Sequence, residues 1–167
     1  MRELLARFKR QRPIEMREYE SFESALHDSD SYEDPRLIEI VREKTRRYRE
    51  FLATADKLPI ESRQLIQNLF ILRHVELAHP LNVLEVGGAC GASYFETRTL
   101  LPGRIEHWSI VETPAMAAAG ESVADDSKLT FHPDIASATK QLASRDIAIA
   151  QGVLQYTGSP LQVLNEL

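Results

Sequence analysis

Residues 83–91 read Val-Leu-Glu-Val-Gly-Gly-Ala-Cys-Gly, an apolar run that breaks into a glycine-rich turn. Few local patterns restrict a fold as tightly. Val83, Leu84 and Val86 suit a strand covered on both faces, because such strands are nearly continuously apolar rather than alternating. Gly87, Gly88 and Gly91 then remove Cβ atoms where a backbone must approach a ligand closely. Ala92 to Leu101 reads as a helix. Strand, glycine turn and helix form the first unit of a doubly wound α/β fold, in which ligands bind beyond the carboxyl ends of the strands.

Three further runs extend the pattern. His107 to Val111 ends at Glu112, about 20 residues past the turn, where a neighbouring strand delivers a carboxylate to a ribose. Leu129 to Phe131 leads through His132 and Pro133 to Asp134 and Ile135. There a carboxylate can accept from an adenine amino group and an aliphatic side chain can cover the ring, while Asp134 also suits the N-cap of the next helix. Asp146 to Leu154 reads as a fourth buried strand opening at Gln151 into a loop with Gln155 and Tyr156. The glycine spacing sorts cofactors. A dinucleotide fingerprint starting at Gly87 needs glycine at 89 and 92, where the chain has Ala89 and Ala92. An S-adenosylmethionine template, an acid two residues before G-x-G-x-G, finds Glu85, Gly87 and Gly91 and misses only at Ala89.

The order Leu-Glu-Val-Gly-Gly-x-x-Gly, Trp-Ser-Ile-Val-Glu-Thr-Pro, Phe-x-x-Asp-Ile and Val-Leu-Gln-Tyr resembles the class I S-adenosylmethionine-dependent methyltransferases. More narrowly, with Ser21-Phe22-Glu23-Ser24-Ala25 and Ser31-Tyr32 upstream, it is similar to a poorly characterised bacterial group of that superfamily. The resemblance runs from about residue 19 and implies a Rossmann-like parallel sheet in the order 3-2-1-4. It also implies S-adenosylmethionine as cofactor, with Glu85, Gly87, Gly88, Gly91, Glu112, Asp134, Ile135 and Gln151 as its contacts. Ala89 departs from the pattern, and alanine fits there if its φ is negative. Members carry seven strands, whereas this sequence offers four before Leu167. The expectation is a C-terminally truncated chain, with the fourth strand left as an edge that pairs with another copy. The last segment starts as a helix with Ser159 as N-cap and Pro160 first, and Leu161, Leu164 and Leu167 make an apolar stripe for a partner.

Composition narrows the remaining classes. A hydrophobic share of 43% over 167 residues supports a real core. A net charge of −5 without a basic stripe argues against nucleic acid as substrate. No apolar run approaches a transmembrane span and no signal-peptide core follows the basic start, so the expected compartment is the cytoplasm. The single Cys90 excludes an internal disulfide and reads as a small apolar filler. No His, Cys and carboxylate residues recur at metal-ligand spacing.

Residues 1–80 form the expected helical extension, and 81–167 the cofactor domain. Pro35 opens an amphipathic helix to about Ala55, packed through Leu37, Ile40, Val41, Tyr48, Phe51 and Leu52. A second helix, from Arg63 to about Ala78, is apolar nearly all round and ends at His79 and Pro80. These helices are expected to cap the cofactor's open side, with His27 and Tyr32 near the mouth. Among the five histidines none qualifies as a catalytic base: His74 and His107 lie in apolar periodic segments, and His132 sits beside the adenine contact. Three functions follow from these residues. The first is methyl transfer to a small molecule or glycan; the second is a non-catalytic remnant acting by cofactor binding or self-association. The third, an NAD-dependent oxidoreductase, is disfavoured by Ala89 and Ala92.

Overall fold

A computed structural model describes residues 17–29, 32–54, 67, 71, 79–142 and 144–167. The chain divides into two compact units, residues 1–30 and 31–167. In the first, α1 (Phe22–His27) opens with a capping box: Ser21 Oγ accepts from Ser24 N–H, and Ser24 Oγ from Ser21 N–H. Asp28 closes it by accepting from Tyr19 Oη at 2.6 Å and Arg17 Nη1 at 2.8 Å.

In the second unit the elements run α2 (Pro35–Thr54), β1 (Leu81–Val86), α3 (Ala92–Leu100), β2 (Ile105–Val111), α4 (Pro114–Glu121), β3 (Leu129–His132), α5 (Ile135–Gln141), β4 (Ile147–Ala150), a 3₁₀ turn (Leu154–Tyr156) and α6 (Pro160–Glu166). The strands form one sheet in the order β3-β2-β1-β4, every pair parallel. This is the doubly wound, Rossmann-like arrangement the sequence implied. The order reverses direction between β1 and β4, which is where such sheets open a ligand crevice.

All six residues of β1 are buried, as a strand covered on both faces requires. Its odd residues face one layer. Leu81 and Val83 join Trp108 and Ile110 of β2, Tyr94 and Phe95 of α3, Ala117 of α4 and Leu52 of α2. Its even residues face the other, where Leu84 and Val86 meet Val111, Ile135, Ala138 and Leu142. Arg98 ties the first layer's rim together, bonding Asp125 and Asp126 while lying 5.2 Å from the ring centres of both Tyr94 and Phe95.

The long helix matches its expected span but not its expected contact face. Thr45 and Leu52 are buried, Tyr48 packs on the core, and Tyr48 Oη donates to Glu96 at 2.8 Å. Leu37, Ile40 and Phe51 are exposed instead. The stripe 41-45-48-52 keeps one face toward α3 and α4, and those three apolar residues fall off it. The second expected helix lies outside the described residues except for Gln67 and Ile71, both helical, with Ile71 buried in the core. The terminal stripe also differs. Val163 and Leu167, four apart, pack on the second core layer, whereas Leu161 and Leu164 point to solvent, and Ser159 makes no side-chain cap bond. Among the described residues β4 pairs only with β1, leaving its other edge open.

Candidate functional site

The site is built at the carboxyl end of β1. Gly87 has φ +77° and donates its N–H to Val111 O at 3.0 Å, so the chain turns away while still tied to β2. A Cβ at Gly87 would stand 2.7 Å from Val153 Cβ, so glycine is what lets the loop after β4 close on the turn. Ala89 has φ +49°, so the condition under which alanine fits there, a negative φ, is not met. An alanine in the left-handed region is strained. What holds it is Glu112: Oε1 accepts the Ala89 N–H at 2.8 Å and Oε2 accepts the Thr113 N–H at 3.1 Å.

Glu85 lies beneath the turn rather than in the crevice. It is buried, its Oε2 accepts from Trp108 Nε1 at 2.8 Å, and it fills the space that a Cβ on Gly88 would need. Burial pushes its carboxyl pKa up, against bonds from Trp108 and Ser93 that favour the ionised form. Gly91, at φ +87°, likewise leaves its space to core side chains, a Cβ there lying 3.0 Å from Leu129 Cδ2. Cys90 is buried with Sγ 3.7 Å from Met116 Sδ, and burial raises its pKa to about 11, which suits a filler and not a nucleophile.

The crevice has a volume of about 350 Å³, within the usual range for small-molecule sites. Val86 at the end of β1 and Gly87 after it, Glu112 and Thr113 after β2, and Val153 and Tyr156 after β4 form most of its wall. Two of the expected cofactor residues, Gly87 and Glu112, therefore meet at one surface. The others lie elsewhere. Asp134 caps α5, its Oδ1 accepting from Ser137 N–H at 2.6 Å, a bond that lowers its pKa. Ile135 is buried in the second core layer and Gln151 is exposed at the end of β4, while their chain neighbours Pro133 and Gly152 line the wall.

No α2 residue lines the crevice, but Tyr32, three residues ahead of that helix, does. Its ring meets Tyr156 edge to face, with centroids 5.1 Å apart and planes at 65°. Glu112 is the only charged side chain among the described residues lining the crevice. Thr113 and Val153 escaped the reading of the sequence. The signal for Thr113 was its place directly after the strand-end acid; Val153 is defined only by its contact with Gly87. Among the described residues Thr113 Oγ1 is also buried with no hydrogen-bond partner. Among the described residues no cluster of His, Cys, Asp and Glu has metal-site geometry, and no helix is long and apolar enough to cross a membrane.

No protein-family model matches the chain, and no curated protein does. Among solved structures it is similar to the plantazolicin methyltransferase BpumL, crystallised with a pentazolic desmethylPZN analog and SAH, at a TM-score of 0.44 and 14% identity. The match covers 78% of this chain and 55% of that one, so the chain spans little more than half of that protein's length.

Proposed function

We propose that the chain binds S-adenosylmethionine in this crevice and serves methyl transfer to a small-molecule or glycan acceptor. The observation that carries this reading is the Glu112 carboxylate at the crevice wall. Each of its oxygens accepts one backbone N–H, and a carboxylate offers about four acceptor positions. Two therefore remain for the two hydroxyls of a ribose. In this reading Asp134 at the N-cap of α5, Ile135 at the start of that helix and Gln151 directly after β4 are further contacts, with the Asp134 carboxylate accepting from an adenine amino group.

The turn also argues against a dinucleotide. A pyrophosphate would need free backbone N–H groups at the turn, yet those of Gly87, Ala89 and Gly91 are taken by Val111 O, Glu112 Oε1 and Gly88 O. A crevice whose sole charge among the described residues is a carboxylate suits a cationic ligand better than a phosphate. The bound sulfonium supplies an already activated methyl group. The chain's own task is then to hold acceptor and methyl carbon in line, since proximity provides much of the rate.

Calorimetric titration with S-adenosylmethionine, S-adenosylhomocysteine and NAD tests the assignment. Binding of the first two without NAD supports it, and binding of NAD alone would overturn it. The open edge of β4 supports self-association through strand pairing; a monodisperse monomer in light scattering at high concentration would count against that part.

A further inference from the structure

Two aromatic rings from distant parts of the chain line the crevice, Tyr32 ahead of α2 and Tyr156 in the turn after β4. Their centroids lie 5.1 Å apart with planes at 65°, so the rings meet as two sides of a corner rather than as a stack. Each is about half exposed. The wall beside them is largely Val86, Val111, Pro133 and Val153, and its one charge among the described residues is the Glu112 carboxylate. An aromatic face carries the negative part of a quadrupole and attracts a cation held within about 6 Å of the ring centre. Elsewhere the fold meets that preference internally, with Arg98 5.2 Å from the centroids of Tyr94 and Phe95 and Arg49 5.8 Å from that of Phe95. No Lys or Arg among the described residues lining the crevice does the same for Tyr32 and Tyr156. An aromatic corner beside a lone carboxylate is complementary to a cation that the ligand brings.

We propose that Tyr32 and Tyr156 recognise the positive sulfur of S-adenosylmethionine by cation–π contact and so distinguish the charged cofactor from its neutral product. The inference rests on the S-adenosylmethionine reading and adds a discriminating role that the ribose contacts do not supply. S-adenosylmethionine and S-adenosylhomocysteine share the adenosyl and amino-acid parts, so contacts to those parts are common to both. The two differ at sulfur, in one methyl group and one positive charge. Ring faces at a corner favour the sulfonium alone. Methyl transfer removes the charge and with it the hold of the two rings, which favours release of the spent cofactor. The contact uses ring faces and not phenol oxygens, so phenylalanine should serve at either position and leucine should not. A cation–π contact at a half-exposed ring changes an equilibrium about two- to fivefold, and two such rings about five- to thirtyfold.

Calorimetry of the full chain with S-adenosylmethionine and with S-adenosylhomocysteine reads the ratio of the two affinities. Combining Tyr32→Leu with Tyr156→Leu should lower the affinity for S-adenosylmethionine relative to S-adenosylhomocysteine by about five- to thirtyfold. Combining Tyr32→Phe with Tyr156→Phe should keep the ratio of the unmutated chain. Tyr156→Leu alone, on a half-exposed ring, should lower the ratio about two- to fivefold and gives the same comparison if the double leucine variant does not fold. A ratio unchanged by leucine, or lowered as much by phenylalanine, would overturn the cation–π assignment alone and leave the crevice as the cofactor site. Failure of the unmutated chain to bind either ligand would overturn the S-adenosylmethionine reading and this inference with it.

Discussion

Glu112→Ala separates the two duties assigned to this carboxylate. In the free protein the substitution removes the bonds to Ala89 N–H at 2.8 Å and Thr113 N–H at 3.1 Å. Hydrogen bonds to a charged group contribute about 1.5–3 kcal/mol each when the partner is left unsatisfied. Glu112 is only half-buried and water can enter the crevice to replace it, so the combined loss should fall near the low end, about 1.5 kcal/mol. Urea denaturation of the free protein reads this directly. The ribose contacts are a second quantity, worth another ~1.5–3 kcal/mol, or about tenfold to about 150-fold in S-adenosylhomocysteine affinity. Glu112→Gln keeps one accepting oxygen and should give a smaller loss of both. Unchanged affinity in Glu112→Ala would remove the residue from ribose binding, and unchanged urea stability would show that it does not pin the turn.

Three further perturbations probe the frame around the site. Ala89→Gly relieves a left-handed alanine that costs roughly 1–2 kcal/mol, against a chain-entropy penalty of roughly 0.5–1, so thermal denaturation should show a gain of about 0.5–1 kcal/mol; a loss would mean the turn is unstrained. Gly120→Ala would place a Cβ 2.3 Å from Phe131 Cε1. Overpacking of roughly 1–3 kcal/mol should outweigh a helix-propensity gain of about 1, so urea midpoints should fall, and a rise would show that the Phe131 ring yields freely. His132 is buried, which lowers its pKa below the usual 6.5. The unfolded chain takes up this proton as pH falls through about 6.5 while the folded chain resists, so stability present above that pH is lost below it. Urea midpoints measured across that range should show this slope, and His132→Gln should flatten it; an unchanged slope in the variant would assign it to another group.

The parts of the fold most legible in the sequence were those in which one residue type has one structural use. Val83, Leu84 and Val86 with the glycines that follow located β1 and the crevice, and the acid after β2 located Glu112. Contact faces were less legible. Leu37, Ile40 and Phe51 are as apolar as Leu52, yet the helix can aim only one stripe at the sheet. Glu85 shows a similar limit. Its spacing before the turn fits a ligand contact, but the indole of Trp108 on β2 holds it beneath Gly88, and only the register Glu85 to Ile110 makes that neighbour visible. Tyr156 was readable as a loop residue near the site, whereas its pairing with Tyr32 joins positions 124 apart and has no local signature.

A crystal structure of the chain with S-adenosylhomocysteine tests the central claim most directly. The account predicts the adenosyl group in the crevice beside Gly87, with both ribose hydroxyls donating to Glu112 while Ala89 N–H keeps its bond to the same carboxylate. Density for the ligand elsewhere on the chain, or in the crevice with Glu112 turned away from the ribose, would contradict it.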